Sequence, residues 1–204
     1  MNIVCLDLEG VLVPEIWITF SERVGIPELR RTTRDEPDYD KLMKYRLDLL
    51  ERHQIKLRDI QQVIDAMGPL PGAREFLDAL RVDYQVIILS DTFYEFAHPL
   101  MRHLAWPTLF CHSLLSSDDD RVIDYRLRMP EQKREAVKRF REMNFTVVAA
   151  GDSYNDTKML AEAHAGILFN PPEKVIREFP QYPVSSNYAG LREQIDQAFA
   201  RFAG

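Results

Sequence analysis

Short, unbroken apolar runs alternate along this chain with segments that have helical periodicity. The apolar runs are IVCLDL at 3–8, YQVIILS at 84–90, FTVVAAGD at 145–152 and AGILFN at 165–170, and helical patterns cover about 72–81, 93–104, 131–144, 153–163 and 188–203. Continuous apolar runs of this length are typical of strands that are covered on both faces, as in parallel sheets. The alternation therefore predicts an α/β fold with a doubly wound parallel sheet.

One long segment does not fit this alternation. From about Glu15 to Met67 the sequence contains several helix-like segments and no strand pattern, and GPLPG at 68–72 supplies the Gly and Pro residues that end it. We expect residues 15–68 to form a small helical cap inserted after the first strand, and 1–14 with 69–204 to form the core. Ligands of open α/β sheets bind outside the carboxyl ends of the strands, so this cap would cover the site.

A second irregular stretch, at 116–130, alternates in period two around RVIDYRLR, which favours a hairpin.

Composition narrows the choice of binding partners. The formal charge of −6, with no basic run, argues against nucleic acid and against an anionic membrane surface as partners. Cys5 and Cys111 lie in apolar patterns without metal-ligand or disulfide spacing, so both are predicted to be reduced core residues.

The start of the chain lacks the pattern of a secretion signal. Met1 is followed directly by a strand pattern, and every apolar run is far shorter than the ~20 residues of a membrane span. We therefore expect a cytoplasmic location. The acidic surface leaves homodimerisation open.

Polar residues follow three of the predicted strands at the points where those strands end. These residues are Asp7 and Glu9, Ser90 and Asp91, and Asp152 and Asp156. Several carboxylates converging on one sheet edge would repel each other unless a hard cation lay among them. Mg²⁺ held by one or two carboxylates beside a substrate phosphate meets that need, so the sequence predicts a magnesium site with phosphate chemistry.

This set of motifs resembles the haloacid dehalogenase superfamily of phosphotransferases, in the same chain order. The nucleophile motif is similar to DLEGVLV, the serine motif to LSDT, the lysine to Lys133, and the acidic motif to GDSYND. The helical insertion is similar to the cap of the phosphoserine phosphatase branch, including members that also transfer the phosphoryl group to homoserine. Three positions depart from the family pattern: Glu9 replaces an aspartate, Val11 a threonine, and Asp91 a glycine.

The resemblance implies a role for each acidic residue of the first motif. Asp7 would attack phosphorus in line and form an aspartyl phosphate, which splits one difficult displacement into two easier ones. Glu9 would protonate the departing alkoxide and then deprotonate the incoming water or alcohol. The carboxylates of Asp7 and Asp152 and the backbone carbonyl of Glu9 would hold Mg²⁺.

The later motifs would hold the phosphoryl group. Ser90 and Lys133 would contact its oxygens, with Lys133 also neutralising the nucleophile; a solvated charge on an amphipathic helix is the alternative for this lysine. Asp156 would orient the water shell of the metal or Lys133, or simply occupy the first turn of a helix. Asn155 would hydrogen-bond the phosphate or substrate, or serve as a turn residue at a helix start.

Specificity is expected to come from the cap. In DYDKLMKYRLDLLERH, Arg46 interrupts an inward-facing stripe of leucines, and its guanidinium could grip a substrate carboxylate in bidentate fashion. A side chain lying along the edge of that stripe is the alternative. Glu15 and Asp91 are candidate partners for a substrate ammonium.

Together these groups predict a Mg²⁺-dependent phosphatase for the small molecule phosphoserine, with homoserine as a candidate acceptor in place of water. Two alternatives remain open. One is a phosphatase of the same superfamily that acts on a phosphoamine or a sugar phosphate. The other is a non-enzymatic phospho-accepting signalling module, although such modules lack a helical cap.

Overall fold

The protein is described by a computed structural model that covers residues 1–32, 35–36 and 38–202. Its strands are β1 (Asn2–Leu6), β2 (Gln85–Phe93), β3 (Thr108–Ser116), β4 (Val122–Arg126), β5 (Thr146–Gly151), β6 (Ala165–Phe169) and β7 (Val184–Ser185). Within the described residues these seven strands form one sheet in the order β4-β3-β2-β1-β5-β6-β7. Only the β3–β4 pair is antiparallel. The predicted α/β fold with its doubly wound sheet is confirmed.

The helices are α1 (Ile16–Val24), α2 (Tyr39–Arg52), α3 (Leu57–Met67), α4 (Ala73–Asp83), α5 (Tyr94–His103), α6 (Gln132–Glu142), α7 (Thr157–Glu162), α8 (Glu173–Glu178) and α9 (Tyr188–Arg201). Short 3₁₀ helices lie at Pro27–Arg30 and Tyr154–Asp156. The insertion after β1 is helical, as expected, with α1 to α3 inside it. Its assignment as a cap with bounds at 15 and 68 stays a prediction.

The sheet is covered on both faces, which explains why its central strands are apolar without alternation. Along β1, Val4 and Leu6 belong to one buried cluster, whereas Ile3 and Cys5 belong to a second. Successive side chains of a strand point to opposite faces, so the two clusters lie on opposite sides of the sheet. The first cluster includes residues of α4, α5 and α9, and the second includes residues of α6 and α7.

A hairpin is present and lies against the helical insertion, but only its turn and β4 fall within the predicted stretch 116–130, because its first strand is β3. Strands β3 and β4 pair antiparallel, and the Tyr125 hydroxyl donates to Asp40 Oδ1 over 2.6 Å. Near the turn of the hairpin, Lys56 Nζ donates to the Asp119 carbonyl over 2.8 Å, and the Leu57 N–H donates to the Asp120 carbonyl over 2.9 Å. The hairpin therefore supports α2 and the start of α3. Among the described residues, no helix combines the length and apolar character needed to cross a membrane.

Candidate active site

Nine of the residues predicted to form the site line one cavity of about 140 Å³, which we call the site cavity. They are Asp7, Glu9, Glu15, Arg46, Ser90, Asp91, Lys133, Asp152 and Asn155. The convergence follows from the sheet order, because β1 lies between β2 and β5 and parallel strands end at the same edge. The structure differs in one detail: β2 continues to Phe93, with an irregularity in its pairing between Leu89 and Phe93.

Lys133 is buried at the base of the site cavity between carboxylates. Its Nζ atom lies 2.8 Å from Asp7 Oδ1, 2.8 Å from Asp156 Oδ1 and 3.7 Å from Asp91 Oδ2. Burial by itself would lower the pKa of Lys133, but the charges of Asp156, Asp7 and Asp91 outweigh it and raise the pKa well above its usual value. Lys133 is therefore a buried, charged residue and does not extend into solvent.

The sequence left several roles open for Asp156, and its hydrogen bonds show that it contacts Lys133. It is fully buried, and its Oδ1 accepts the hydrogen bond from Lys133. Its Oδ2 accepts from the backbone N–H groups of Asp152 and Ser153 over 3.0 and 3.1 Å. Both oxygens are thus in use, and Asp156 orients Lys133 and the backbone that carries Asp152.

Three buried carboxylates, those of Asp7, Asp152 and Asp156, each offer an oxygen within 4.8 Å of the others. Burial, followed by the charge of Asp156, raises the pKa of Asp7 well above its usual value, although Lys133 opposes this shift. Burial and then Asp156 also raise the pKa of Asp152 to about 7. The cluster therefore carries more negative charge than its single lysine balances.

This donor set fits a hard divalent cation, because Mg²⁺ binds carboxylate oxygens and would supply the missing positive charge. Asp156 already uses both oxygens, so the carboxylates of Asp7 and Asp152 are the ones that would hold the ion. Gly10 makes room beside them: it has φ +76°, and a Cβ atom there would lie 2.5 Å from Asp152 Cγ. The Glu9 carbonyl as a further ligand stays a prediction.

The Glu9 side chain is anchored by the first helix of the insertion. Its Oε2 accepts a hydrogen bond of 2.8 Å from the N–H of Ile16, the first residue of α1. Burial, followed by the charge of Glu15, raises the pKa of Glu9 to about 7, although the Ile16 N–H and Arg46 oppose this shift. A carboxyl group with such a pKa can both give and take a proton near neutral pH.

Arg46 faces the site cavity from α2 and is buried, with 6% of its surface exposed. The buried residues of α2 include Leu42, Leu49 and Leu50, which confirms the predicted stripe. Burial lowers the pKa of Arg46 to about 10, so the guanidinium stays charged at neutral pH. Glu15 lines the same cavity and makes no side-chain capping bond to α1.

Asp91 is held by its neighbours more firmly than the sequence predicts. Its carboxylate accepts from Gln132 Nε2 over 3.2 Å and from Asn155 Nδ2 over 3.3 Å, and it lies 3.7 Å from His112 Nε2. Burial would raise the pKa of Asp91, but Lys133, Gln132 and Asn155 outweigh it and lower the pKa. A role of Asp91 toward a substrate ammonium stays a prediction.

The chain is similar to known proteins over most of its length. Residues 1–164 match the haloacid dehalogenase-like hydrolases. The chain belongs to this family. It is 59% identical over 201 residues to phosphoserine phosphatase ThrH of Pseudomonas aeruginosa, with 98% of each chain covered. It is 57% identical over 201 residues to a phosphoserine phosphatase of Pseudomonas syringae pv. tomato, covering 98% of this chain and 85% of that relative.

The fold is shared with solved structures. A crystal structure of phosphoserine phosphatase from T. onnurineus in complex with NDSB-201 superposes with a TM-score of 0.70 at 24% identity, covering 95% of this chain and 94% of that one. A substrate-bound phosphoserine phosphatase complex superposes with a TM-score of 0.70 at 18% identity, covering 89% and 98%. At these identities the likeness is evidence for the fold.

Sequence reasoning did not place Tyr39 and Gln132 in this haloacid dehalogenase-like site. Tyr39 precedes Arg46 by seven positions on α2, so the helical period could have found it; its hydroxyl donates to the Asp91 carbonyl over 3.2 Å. Gln132 directly precedes Lys133 and donates to the Ser90 carbonyl. Trp17 of α1 also lines the site cavity.

A second cavity of about 360 Å³ adjoins the site cavity in this haloacid dehalogenase-like hydrolase. The two cavities share Tyr39, Asp91, Lys133, Tyr154 and Asn155 as lining residues. Of the two cavities, His112 lines only the second, and it is buried. Its Nδ1 accepts from the Arg128 N–H over 3.0 Å.

Proposed function

We propose that this protein is a Mg²⁺-dependent phosphoserine phosphatase that acts through an aspartyl phosphate on Asp7. The observation that carries this proposal is the layout of the site cavity. The Asp7–Lys133 ion pair lies at its base, and the buried guanidinium of Arg46 faces the same space from the insertion. The names of the two Pseudomonas relatives support the choice of substrate.

In the first step the Asp7 carboxylate attacks phosphorus, and the bond between phosphorus and the serine oxygen breaks. Lys133 and Ser90 line the cavity beside Asp7, where they can bind the phosphoryl oxygens as charge shifts between them. Glu9, with its raised pKa, holds the proton that the departing serine oxygen takes. Serine then leaves with its hydroxyl restored.

In the second step Glu9, now ionised, takes a proton from water as the water oxygen attacks phosphorus. The bond between phosphorus and the Asp7 oxygen breaks, which regenerates the carboxylate and releases phosphate. The Ile16 N–H orients Glu9 in both steps through its hydrogen bond to Oε2. This bond is made by the backbone, so it does not depend on the identity of residue 16.

A divalent cation bound by Asp7 and Asp152 would neutralise charge on the phosphoryl oxygens. The protein itself supplies the rest of the site. Gly10 keeps space around the Asp152 carboxylate, and Asp156 holds the backbone N–H of Asp152 and the ammonium of Lys133.

The substrate assignment rests on the groups that face the site cavity from the insertion. Arg46 offers a charged, planar donor for a carboxylate, and Glu15 offers a carboxylate for an ammonium group. An amino acid phosphate carries both complementary charges. Homoserine carries the same two groups on a chain one methylene longer, so we also propose it as an acceptor that attacks in place of water.

The test is phosphate release from phosphoserine by the purified protein with Mg²⁺, with and without homoserine. We expect turnover, and formation of phosphohomoserine when homoserine is added. Asp7→Asn should lower kcat by on the order of 10³-fold or more, because the nucleophile is lost. A sugar phosphate turned over faster than phosphoserine would overturn the substrate, and a stable phosphoprotein without turnover would favour the signalling alternative.

Arg46→Ala tests the carboxylate partner directly. Hydrogen bonds to charged groups contribute about 1.5–3 kcal/mol, so kcat/KM for phosphoserine should fall by about 10–150-fold. Arg52→Ala is the matched control on the same helix, because Arg52 forms an exposed ion pair with Asp48. It should change kcat/KM less than twofold.

A further inference from the structure

The Arg46 guanidinium has few polar partners for a buried charge. Among the described residues its Nε has no hydrogen-bond partner. One Nη2–H donates to the Arg31 carbonyl over 2.6 Å, and the hydrogen-bond partner of Nη1 within the described part of the chain is the sulfur of Met43 at 3.8 Å. A long side chain with so few bonds loses its orientation unless something else holds it.

Trp17 supplies the missing support. The Arg46 Cζ atom lies 4.4 Å from the centroid of the Trp17 ring, over its face. The ring is itself fixed, since it packs edge-on against Phe20 of α1 and, at 5.4 Å between centroids, against Phe96 of α5. The guanidinium therefore rests on a ring whose position is set by both the insertion and the core.

A cation over a ring face is held by the negative face of the ring and uses no acceptor oxygen, so the N–H donors that point away from the ring stay available. A planar carboxylate binds that same edge in bidentate fashion. A salt bridge from a glutamate in place of Trp17 would instead use up the donors that a ligand needs. An aromatic ring is thus the support that holds this cation without competing for the carboxylate.

We propose that Trp17 is a positioning residue that holds the Arg46 guanidinium ready for the carboxylate of the substrate, and so sets the preference of this site for carboxylate-bearing phosphomonoesters. The inference rests on the proposed function. Trp17 acts through Arg46, so its loss should raise KM and leave kcat nearly unchanged. The hydrogen bond from Ile16 to Glu9 is made by backbone and survives a change of the side chain at 17.

The test is a double-mutant cycle on Trp17 and Arg46, read as kcat and KM for phosphoserine. Trp17→Leu alone should raise KM about tenfold, equal to about 1.4 kcal/mol of binding, with kcat changed less than twofold. In the Arg46→Ala background the same substitution should change KM less than twofold. Trp106→Leu removes the other tryptophan of the chain, which is 56% exposed, and should have no effect.

Trp17→Phe covers the case in which the leucine variant does not fold. It keeps a smaller ring against Phe96 and should raise KM about threefold in the wild-type background only. Equal KM losses in both backgrounds, with wild-type activity intact, would overturn the role of Trp17 and leave the proposed function standing. No turnover of phosphoserine by the wild-type protein would overturn the proposed function and this inference together.

Discussion

Lys133 Nζ lies 2.8 Å from Asp7 Oδ1, and both side chains are only 5% exposed. The negative charges of the carboxylates stabilise a lysine buried among them, and the lysine in turn compensates their buried charge. Carboxylate oxygens of three residues lie within 4.0 Å of the Lys133 ammonium group: those of Asp7, Asp91 and Asp156. The proposed phosphoryl chemistry and the stability of the fold would therefore depend on the same contacts.

Lys133→Met should destabilise the protein strongly. Removing one partner of a buried ion pair typically costs about 3–5 kcal/mol, because the remaining charge stays buried and uncompensated. The measurement is the free energy of unfolding in urea, without divalent cations. Lys44→Met is the control: Lys44 is 2.5 Å from Asp40, but its side chain is 71% exposed. That variant should lose less than about 1 kcal/mol; equal losses in the two variants would contradict the burial argument.

Gly10→Ala should impair cation binding as well as stability. Both Gly10 and Gly25 have positive φ values, +76° and +69°, but a Cβ at Gly10 would clash with the Asp152 carboxylate, whereas nothing lies within 4 Å at Gly25. Alanine at either position should cost about 1 kcal/mol or more through backbone strain. Only Gly10→Ala should raise the Mg²⁺ concentration needed for half-maximal activity. An equal rise in the Mg²⁺ requirement of Gly25→Ala would count against a specific role of Gly10.

Removing divalent cations should abolish turnover and lower the melting temperature. A cation that binds only the folded state at a hundred times its Kd stabilises it by about 2.7 kcal/mol. Melting curves in EDTA and in excess MgCl₂ measure the difference. Asp152→Asn should lose most of that shift, because one of the two predicted carboxylate ligands is gone. An unchanged melting temperature on adding Mg²⁺ to the wild-type protein would argue against the site.

His112 should make the protein less stable in acid. Burial, opposed by Asp91, lowers the pKa of His112 below its ordinary 6.5, so the unfolded chain binds a proton more readily than the folded protein. Stability contributed by this group is therefore complete above pH 6.5 and is lost as the pH falls from 6.5 through the lower folded-state pKa. The effect cannot exceed about 1.4 kcal/mol for each pH unit.

His112→Asn separates this effect from other titrations, since an asparagine Oδ1 can still accept the Arg128 N–H. Urea unfolding at pH 7.0, 6.0 and 5.0 should show a shallower loss of stability in this variant than in the wild type. His53→Asn, at an exposed position, should keep the wild-type slope. Parallel slopes for wild type and His112→Asn would refute the prediction.

The sequence by itself determined the sheet and the edge where the site lies. The apolar runs before Asp7, Ser90 and Asp152 favour strands covered on both faces, and parallel strands bring their carboxyl ends to one edge. The position of Arg46 could also be predicted from the sequence, because the helical period placed it within the buried stripe of α2. β7 and α8 were not predicted, and a segment of two residues such as β7 is too short to show any periodicity.

Only the tertiary structure decided which side chains meet. Lys133 could have been a solvated helix residue, and it is buried because α6 begins directly over the carboxylates that follow β1 and β5. Trp17 and Arg46 are 29 positions apart, and no local pattern links a ring on α1 to a guanidinium on α2. Periodicity reports which face of an element is buried; it contains no information about the partner across that face, because partners are set by packing between elements distant in the chain.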